Sequence, residues 1–305
     1  MRIFFGITTT QLVLSLLCSI FLFIQFATNR EWRHRKNNHI LLVLLILTFL
    51  QNTIEAPMNL IYLRTGVAAN TSSGFCLFWI LSVCSLNGTG ILLMTFASIE
   101  RYMFIYHNTI LNRHSILLRY IPITLCFIYP LLYFIGIILL LPCHNQFIYF
   151  AYLCSGGCYV NDPFWNTMTW VGNISLPIFI ILFINVLLIT RTIYQKNKMK
   201  QTHVWLKNRK MVLQLVSIAA LYCFTWLPSA ILISIVTLHP PNVNTSQIFF
   251  IFQYVVLMTN FTPLFYPFVC LAGQPFILNK IKRIYQRGHP VVPIQLAKKF
   301  MVFKC

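Results

Sequence analysis

Residues 76–102 read CLFWILSVCSLNGTGILLMTFASIERY, and no charged side chain stands between Cys76 and Glu100. An α-helix needs about 20 apolar residues to cross hydrocarbon. Lipid offers the backbone no hydrogen-bond partner, so a run of this length reads as a spanning helix. The closing Glu100-Arg101-Tyr102 places charge where such a helix would leave the bilayer.

Six further stretches of the same kind lie around it, giving spans near 3–28, 38–63, 75–106, 116–141, 165–194, 211–238 and 246–271. Short polar segments separate them. Composition agrees: 58% of the 305 residues are hydrophobic, 9% are charged, and mean hydropathy is +0.74. A soluble domain carries about 25% charged residues. The expected fold is an all-α membrane protein, a seven-transmembrane helix bundle forming one domain over 1–305.

The formal charge of +19 reflects topology rather than nucleic acid. With the amino terminus outside, four Lys and Arg fall in the first inner segment, three in the second, seven in the third and seven in the carboxyl-terminal one. Only Arg2 and Arg64 remain outside, a split that obeys the positive-inside rule. Reading the first stretch as a cleaved signal would break that split, and the run exceeds the ~7–15 residues of a signal core. The chain is expected in the plasma membrane, multi-pass, with a cytoplasmic carboxyl terminus. Its basic inner face suits an anionic leaflet and a cytoplasmic partner.

Sequons at Asn70 and Asn244 fall in outer segments and are candidate glycosylation sites. Cys76, Cys143, Cys154 and Cys158 also face outward, where disulfides form. Four cysteines allow three connectivities. The four acidic residues, Glu31, Glu55, Glu100 and Asp162, are too few and too scattered for paired-carboxylate catalysis. All eight histidines fall in loops or at span ends, so no buried metal site assembles. No cofactor, metal or enzymatic activity is expected. A transporter would show internal repeats or broken helices, which this sequence lacks.

Several spacings occur together. Cys76 opens the third span and Arg101 closes it twenty-five residues later. The sixth span holds Phe224-Thr-Trp226-Leu-Pro228, and Pro57, Pro177 and Pro267 interrupt the second, fifth and seventh. FILNKIKRIY (276–285) follows the last span as an amphipathic basic stretch. In this order and on these spans the pieces resemble the rhodopsin-like, class A, G protein-coupled receptors over nearly the whole chain. The resemblance implies a ligand site between helices on the outer side and a heterotrimeric G protein site on the inner side. It implies a short cytoplasmic helix 8 near 275–287, lying on the leaflet. It also implies that Cys76 bonds a cysteine of the second outer loop. Cys158 is the expected partner, from its Cys-Tyr context and its distance from the fifth span, which leaves Cys143 and Cys154 for a second bridge.

Carried over residue by residue, Glu100, Arg101, Tyr102, Arg209, Lys210, Pro228 and Pro267 become the coupling and activation set. Trp226 becomes the floor of the ligand pocket. Glu100 could hold Arg101 in a resting geometry; the plain alternative is an interfacial pair with snorkelling side chains. The chain departs from the family at several points. Tyr266-Pro267-Phe-Val-Cys270 replaces Asn-Pro-x-x-Tyr, and Thr48 stands where the second span usually has a carboxylate. The usual sodium-binding cluster is therefore missing. Asn185 replaces a common activating Tyr, and no acid precedes the sixth span. These losses touch the coupling machinery rather than the scaffold.

Val83 occupies the position where amine receptors carry Asp, which disfavours a monoamine. Asn87, Gln253 and Asn260 are the other polar positions that the resemblance turns inward. Glu55, two residues before Pro57, is the sharpest clue. A carboxylate within a span usually faces a cavity or a partner. It reads either as a counter-ion for a cationic ligand group or as a hydrogen-bonded packing residue. The long second outer loop is aromatic and nearly uncharged. A neuropeptide-type ligand is the leading expectation. A small lipid or odorant is the alternative, as is a non-signalling orphan or decoy of receptor fold.

Overall fold

A computed structural model describes residues 2–28, 38–106, 117–198, 202–238 and 254–273. Its helices are α1 (Arg2–Thr28), α2 (Asn38–Thr65), α3 (Ser73–Tyr106) and α4 (Leu117–Ile135). A fifth, α5, comprises Pro163–Thr167, a π-helical stretch Met168–Ser175, and Leu176–Lys198. Helix α6 is Thr202–Leu238, and α7 ends in Phe261–Ala272. Seven of the described helical segments are long and apolar enough to cross a membrane, the last of them Tyr254–Ala272. The expected helix 8 lies outside the described residues.

The bundle is built inside out relative to a soluble protein. Leu14, Leu17, Leu132, Phe183 and Phe224 expose half or more of their side chains, as lipid-facing residues can. Gln51, Asn52, Glu55, Asn59 and Ser98 are buried. In hydrocarbon a polar group gains most by facing another polar group inside the bundle. Between these groups runs an apolar core of Leu44, Leu47, Ile91, Met94, Ile178, Ile218 and Trp226. Helix α3 is central, packed against α2, α4, α5 and α6. Gly88 permits a close approach to α4, since a Cβ there would meet Pro130 at 3.3 Å and Phe134 at 3.4 Å.

Two helices widen into π-turns. One follows α4 at Gly136–Leu140, and the other fills Met168–Ser175 ahead of Pro177. Pro177 has no N–H to donate, which frees a carbonyl one turn earlier. Side chains also bond other carbonyls of the widened turn. Ser175 Oγ donates to the Trp170 carbonyl at 2.9 Å, and Asn173 Nδ2 donates to the Met168 carbonyl at 3.3 Å. In α6, around Pro228, the Ser229 hydroxyl donates to the Trp226 carbonyl at 2.7 Å and the Thr225 hydroxyl to the Leu221 carbonyl at 2.9 Å.

The disulfides differ from the expected pairing. Cys76 bonds Cys154, not Cys158, and Cys143 bonds Cys158, not Cys154. The reason is the fold of the 141–162 loop. Leu153, Cys154 and Ser155 all take left-handed backbone angles, with φ of 54°, 52° and 71°. This tight turn is closed by Cys154 N–H to the Ala151 carbonyl at 3.0 Å and Ile148 N–H to the Cys154 carbonyl at 3.1 Å. It drives Cys154 into the bundle beside Trp79 and Tyr152, with its Cα 5.9 Å from that of Cys76. Asn145 meanwhile accepts the Cys158 N–H at 2.7 Å, which holds Cys158 beside Cys143.

Candidate functional site

At the disulfide end the bundle opens into a cavity of about 760 Å³, counting its mouth. Its wall takes Val83 and Asn87 from α3, Tyr133 from α4, Trp170 from α5 and Trp226 from α6. Tyr152, Leu153 and Tyr159 of the 141–162 loop close over it. Among the described residues that line it, none is charged. Val83, Asn87 and Trp226 therefore line the same cavity. Trp226 is also buried in the apolar core. The widened turn of α5 presents Thr169 and Asn173 to the same wall, where Tyr133 shares a hydrogen bond with Thr169 at 3.0 Å and Tyr129 donates to Asn173 at 2.6 Å.

Glu55 and Asn260 line a different cavity, of about 490 Å³, between α1, α2 and α7. Gln51, Asn52 and Asn59 complete its polar wall. Asn87 is the link between the two. Its Nδ2 donates to Glu55 Oε2 at 3.2 Å and its Oδ1 accepts from Gln51 Nε2 at 3.0 Å. Glu55 is 3% exposed, and its Oε1 has no hydrogen-bond partner. Helix α2 makes this wall by spacing: Gln51, Glu55 and Asn59 recur every four residues and so share one face.

A second polar knot seals the top. Tyr152 Oη donates to Asn59 Oδ1 at 3.3 Å and accepts from Asn260 Nδ2 at 3.1 Å, while Asn59 Nδ2 donates to Asn260 Oδ1 at 3.1 Å. One loop residue thus joins α2 and α7. Burial, reinforced by the nearby Glu55 carboxyl, pushes the Tyr152 phenol above its ordinary value, so it stays a neutral donor. Sequence reading sees Tyr152 only as one aromatic of the second outer loop and misses its contacts here. Gln51, Asn52 and Asn59 are also missed, although their clustering with Glu55 inside one apolar span marks the polar face.

At the opposite end Glu100 and Arg101 are both buried, at 4% and 5% exposure. Tyr102 carries the Arg191 guanidinium 5.3 Å above its ring, a cation–π contact between α3 and α5. Asn185 donates to Ser98 at 3.0 Å and ties the same two helices together. Tyr266, beside Pro267, is fully buried, and its hydroxyl donates to the Leu41 carbonyl at 3.2 Å. Arg209, Lys210 and Pro228 lie in α6, with the side chains of the first two outside the described residues. Gln253 and Asn244 lie outside the described residues, while Asn70 is exposed between α2 and α3. Among the described residues no cluster of His, Cys, Asp and Glu could hold a metal ion.

A comparison with curated proteins returns no match. The family model for the 7 transmembrane receptors (rhodopsin family) matches residues 11–269, all but the two ends of the chain. With seven membrane-length apolar helices arranged around α3, the chain belongs to the rhodopsin family of seven-transmembrane receptors, multi-pass plasma-membrane proteins that signal rather than catalyse.

Proposed function

We propose that this receptor binds an extracellular ligand in the larger cavity and activates a heterotrimeric G protein at its Arg101 end. The amino terminus and the disulfide end face outward; the 196–210 connector and the carboxyl terminus face the cytosol. The observation that carries the reading is the position of Trp226. It forms part of the cavity wall and also packs into the core that leads toward Tyr222, Met94 and Tyr266. A ligand that moves this ring would repack the core, and packed cores shift between discrete arrangements rather than deforming smoothly. Glu100, Arg101, Tyr102, Arg209, Lys210, Pro228 and Pro267 form the responding side.

A neuropeptide-type ligand fits best. Its apolar side chain would occupy the aromatic cavity. Its cationic group, an Arg or an amino terminus, would displace Asn87 Nδ2 from Glu55 Oε2. A small lipid or odorant-like molecule is the second reading, favoured by the lack of any charged residue among the described residues that line the larger cavity. A peptide-library screen on cells expressing the receptor, followed by nucleotide exchange with a panel of G proteins, tests both. A peptide hit that drives exchange supports the first reading, and a response to apolar small molecules alone supports the second. No exchange with any G protein would leave a decoy of receptor fold.

A further inference from the structure

Tyr129 of α4 lines the larger cavity and is still 42% exposed, on a surface it shares with the lipid-facing Leu132 of α4 and Leu176 of α5. The cavity thus reaches the outside of the bundle between these two helices. Among the described residues α4 packs on α3, while its backbone barely approaches α5. Side-chain pairs span the gap instead. Tyr133 shares a hydrogen bond with Thr169 at 3.0 Å, and Tyr129 donates to Asn173 Oδ1 at 2.6 Å. The two phenol rings stack, with centroids 5.9 Å apart. A spacing of four puts both on one face of α4, so the pairs are successive rungs about 6 Å apart along the helix. The same cavity continues to Gly88 and Ile91 of α3 and to Trp226 of α6.

A seam closed by rungs differs from one closed by packed helices. It opens when a side chain turns, and no helix has to move. Tyr129 is exposed, and exposed side chains change rotamer within nanoseconds. Hydrocarbon holds no water to satisfy the freed phenol and amide. A molecule that enters must therefore bring a hydroxyl or amide of its own to replace the broken bond. A pure hydrocarbon leaves both groups orphaned, which is costly. A charged group finds no opposite charge among the described residues that line the cavity.

We infer that the gap between α4 and α5 is a side entrance from the bilayer into the larger cavity, gated by the Tyr129–Asn173 and Tyr133–Thr169 rungs. It admits an uncharged amphiphile, an apolar body that carries a hydroxyl or amide. This deepens the small-lipid reading of that cavity and rests on it for the site alone, not for signalling.

The test uses full-length receptor in phosphatidylcholine vesicles, mixed rapidly with a long-chain alcohol that bears a photoactivatable diazirine. Flash illumination at increasing delays, followed by mass spectrometry, gives the labelled residues and the rate of entry. The expected result is label on cavity-lining positions of α3, Gly88 and Ile91 among them, displaced by excess unlabelled alcohol. Tyr129→Phe and Tyr133→Phe should each raise the rate about threefold, the worth of one interhelical hydrogen bond in a bilayer. Asn173→Trp, which fills the gap, should lower it. General damage to the fold would not move the two kinds of variant in opposite directions, and the Phe variants decide alone if Asn173→Trp does not fold. Label confined to lipid-facing residues such as Leu132 and Leu176 would overturn the inference, as would wild-type rates in the variants. Equal labelling by an alkyl sulfonate of the same length would overturn the uncharged class. No G protein is present, so the two readings fail separately. Labelling through the gate without nucleotide exchange sinks the signalling role and leaves the entrance; exchange driven by an apolar molecule at unaltered entry rates sinks the gate.

Discussion

Asn87 Nδ2 donates to Glu55 Oε2 across 3.2 Å, and this bond is the partition between the two cavities. It joins α3 to α2 beside the larger cavity, whose wall includes Asn87. A cationic group that takes Glu55 Oε2 from there displaces Asn87 Nδ2.

Replacing Glu55 by Gln should therefore weaken a cationic peptide ligand about tenfold or more, because the ligand's charge loses its partner. The measurement is the concentration–response of a peptide found by screening. An unchanged response would remove Glu55 from ligand recognition.

Asn87→Ala removes the donor to Glu55 and the acceptor for Gln51 in one step. A buried group left unsatisfied costs about 1–3 kcal/mol, so the melting temperature should fall by several degrees. Equal melting of the variant and the wild type would show that the partition contributes nothing.

Tyr152→Phe deletes a single hydroxyl that both donates to Asn59 and accepts from Asn260. A loss of about 1–2 kcal/mol is expected, with faster hydrogen exchange in the 141–162 loop. If exchange in that loop does not change, the loop is held by the Cys76–Cys154 bond and its packing alone.

Cys154→Ser and Cys158→Ser should be unequal. The Cys76–Cys154 bond closes 78 residues and fastens the loop to α3, while Cys143–Cys158 closes 15 within the loop. On chain-entropy grounds the longer closure is worth about 1.5 kcal/mol more. Surface expression should drop further for Cys154→Ser, and non-reducing peptide mapping should find the Cys76 peptide joined to that of Cys154. A Cys76–Cys158 peptide would contradict the loop geometry.

The spans were legible because hydrocarbon imposes a length and an apolar composition on any helix that crosses it. The 76–102 run already holds the bridge cysteine and the Glu100-Arg101-Tyr102 terminus at the correct ends of α3. Glu55 stood out for the same reason, as a charge where charge is costly. The sequence could not show that Glu55 and Trp226 line separate cavities, since that depends on the rotation of α2 against α3 and α7. The cysteine pairing was illegible too. It turns on three consecutive left-handed residues and on one Asn145 side chain, and neither follows from spacing. Tyr152 lay hidden among loop aromatics because nothing local distinguishes a phenol that reaches two helices from one that packs on a lid.

The proposed coupling of a ligand in the Trp226-lined cavity to nucleotide exchange at the Arg101 end is read by loading of a non-hydrolysable GTP analogue onto purified G proteins by reconstituted receptor, with wild type, Trp226→Ala and Arg101→Ala side by side. Ligand-stimulated loading by the wild type, with both variants folded but reduced at least about tenfold, is the expected result. Loading by Arg101→Ala equal to the wild type, or none from the wild type with any G protein in the presence of a bound ligand, would contradict it.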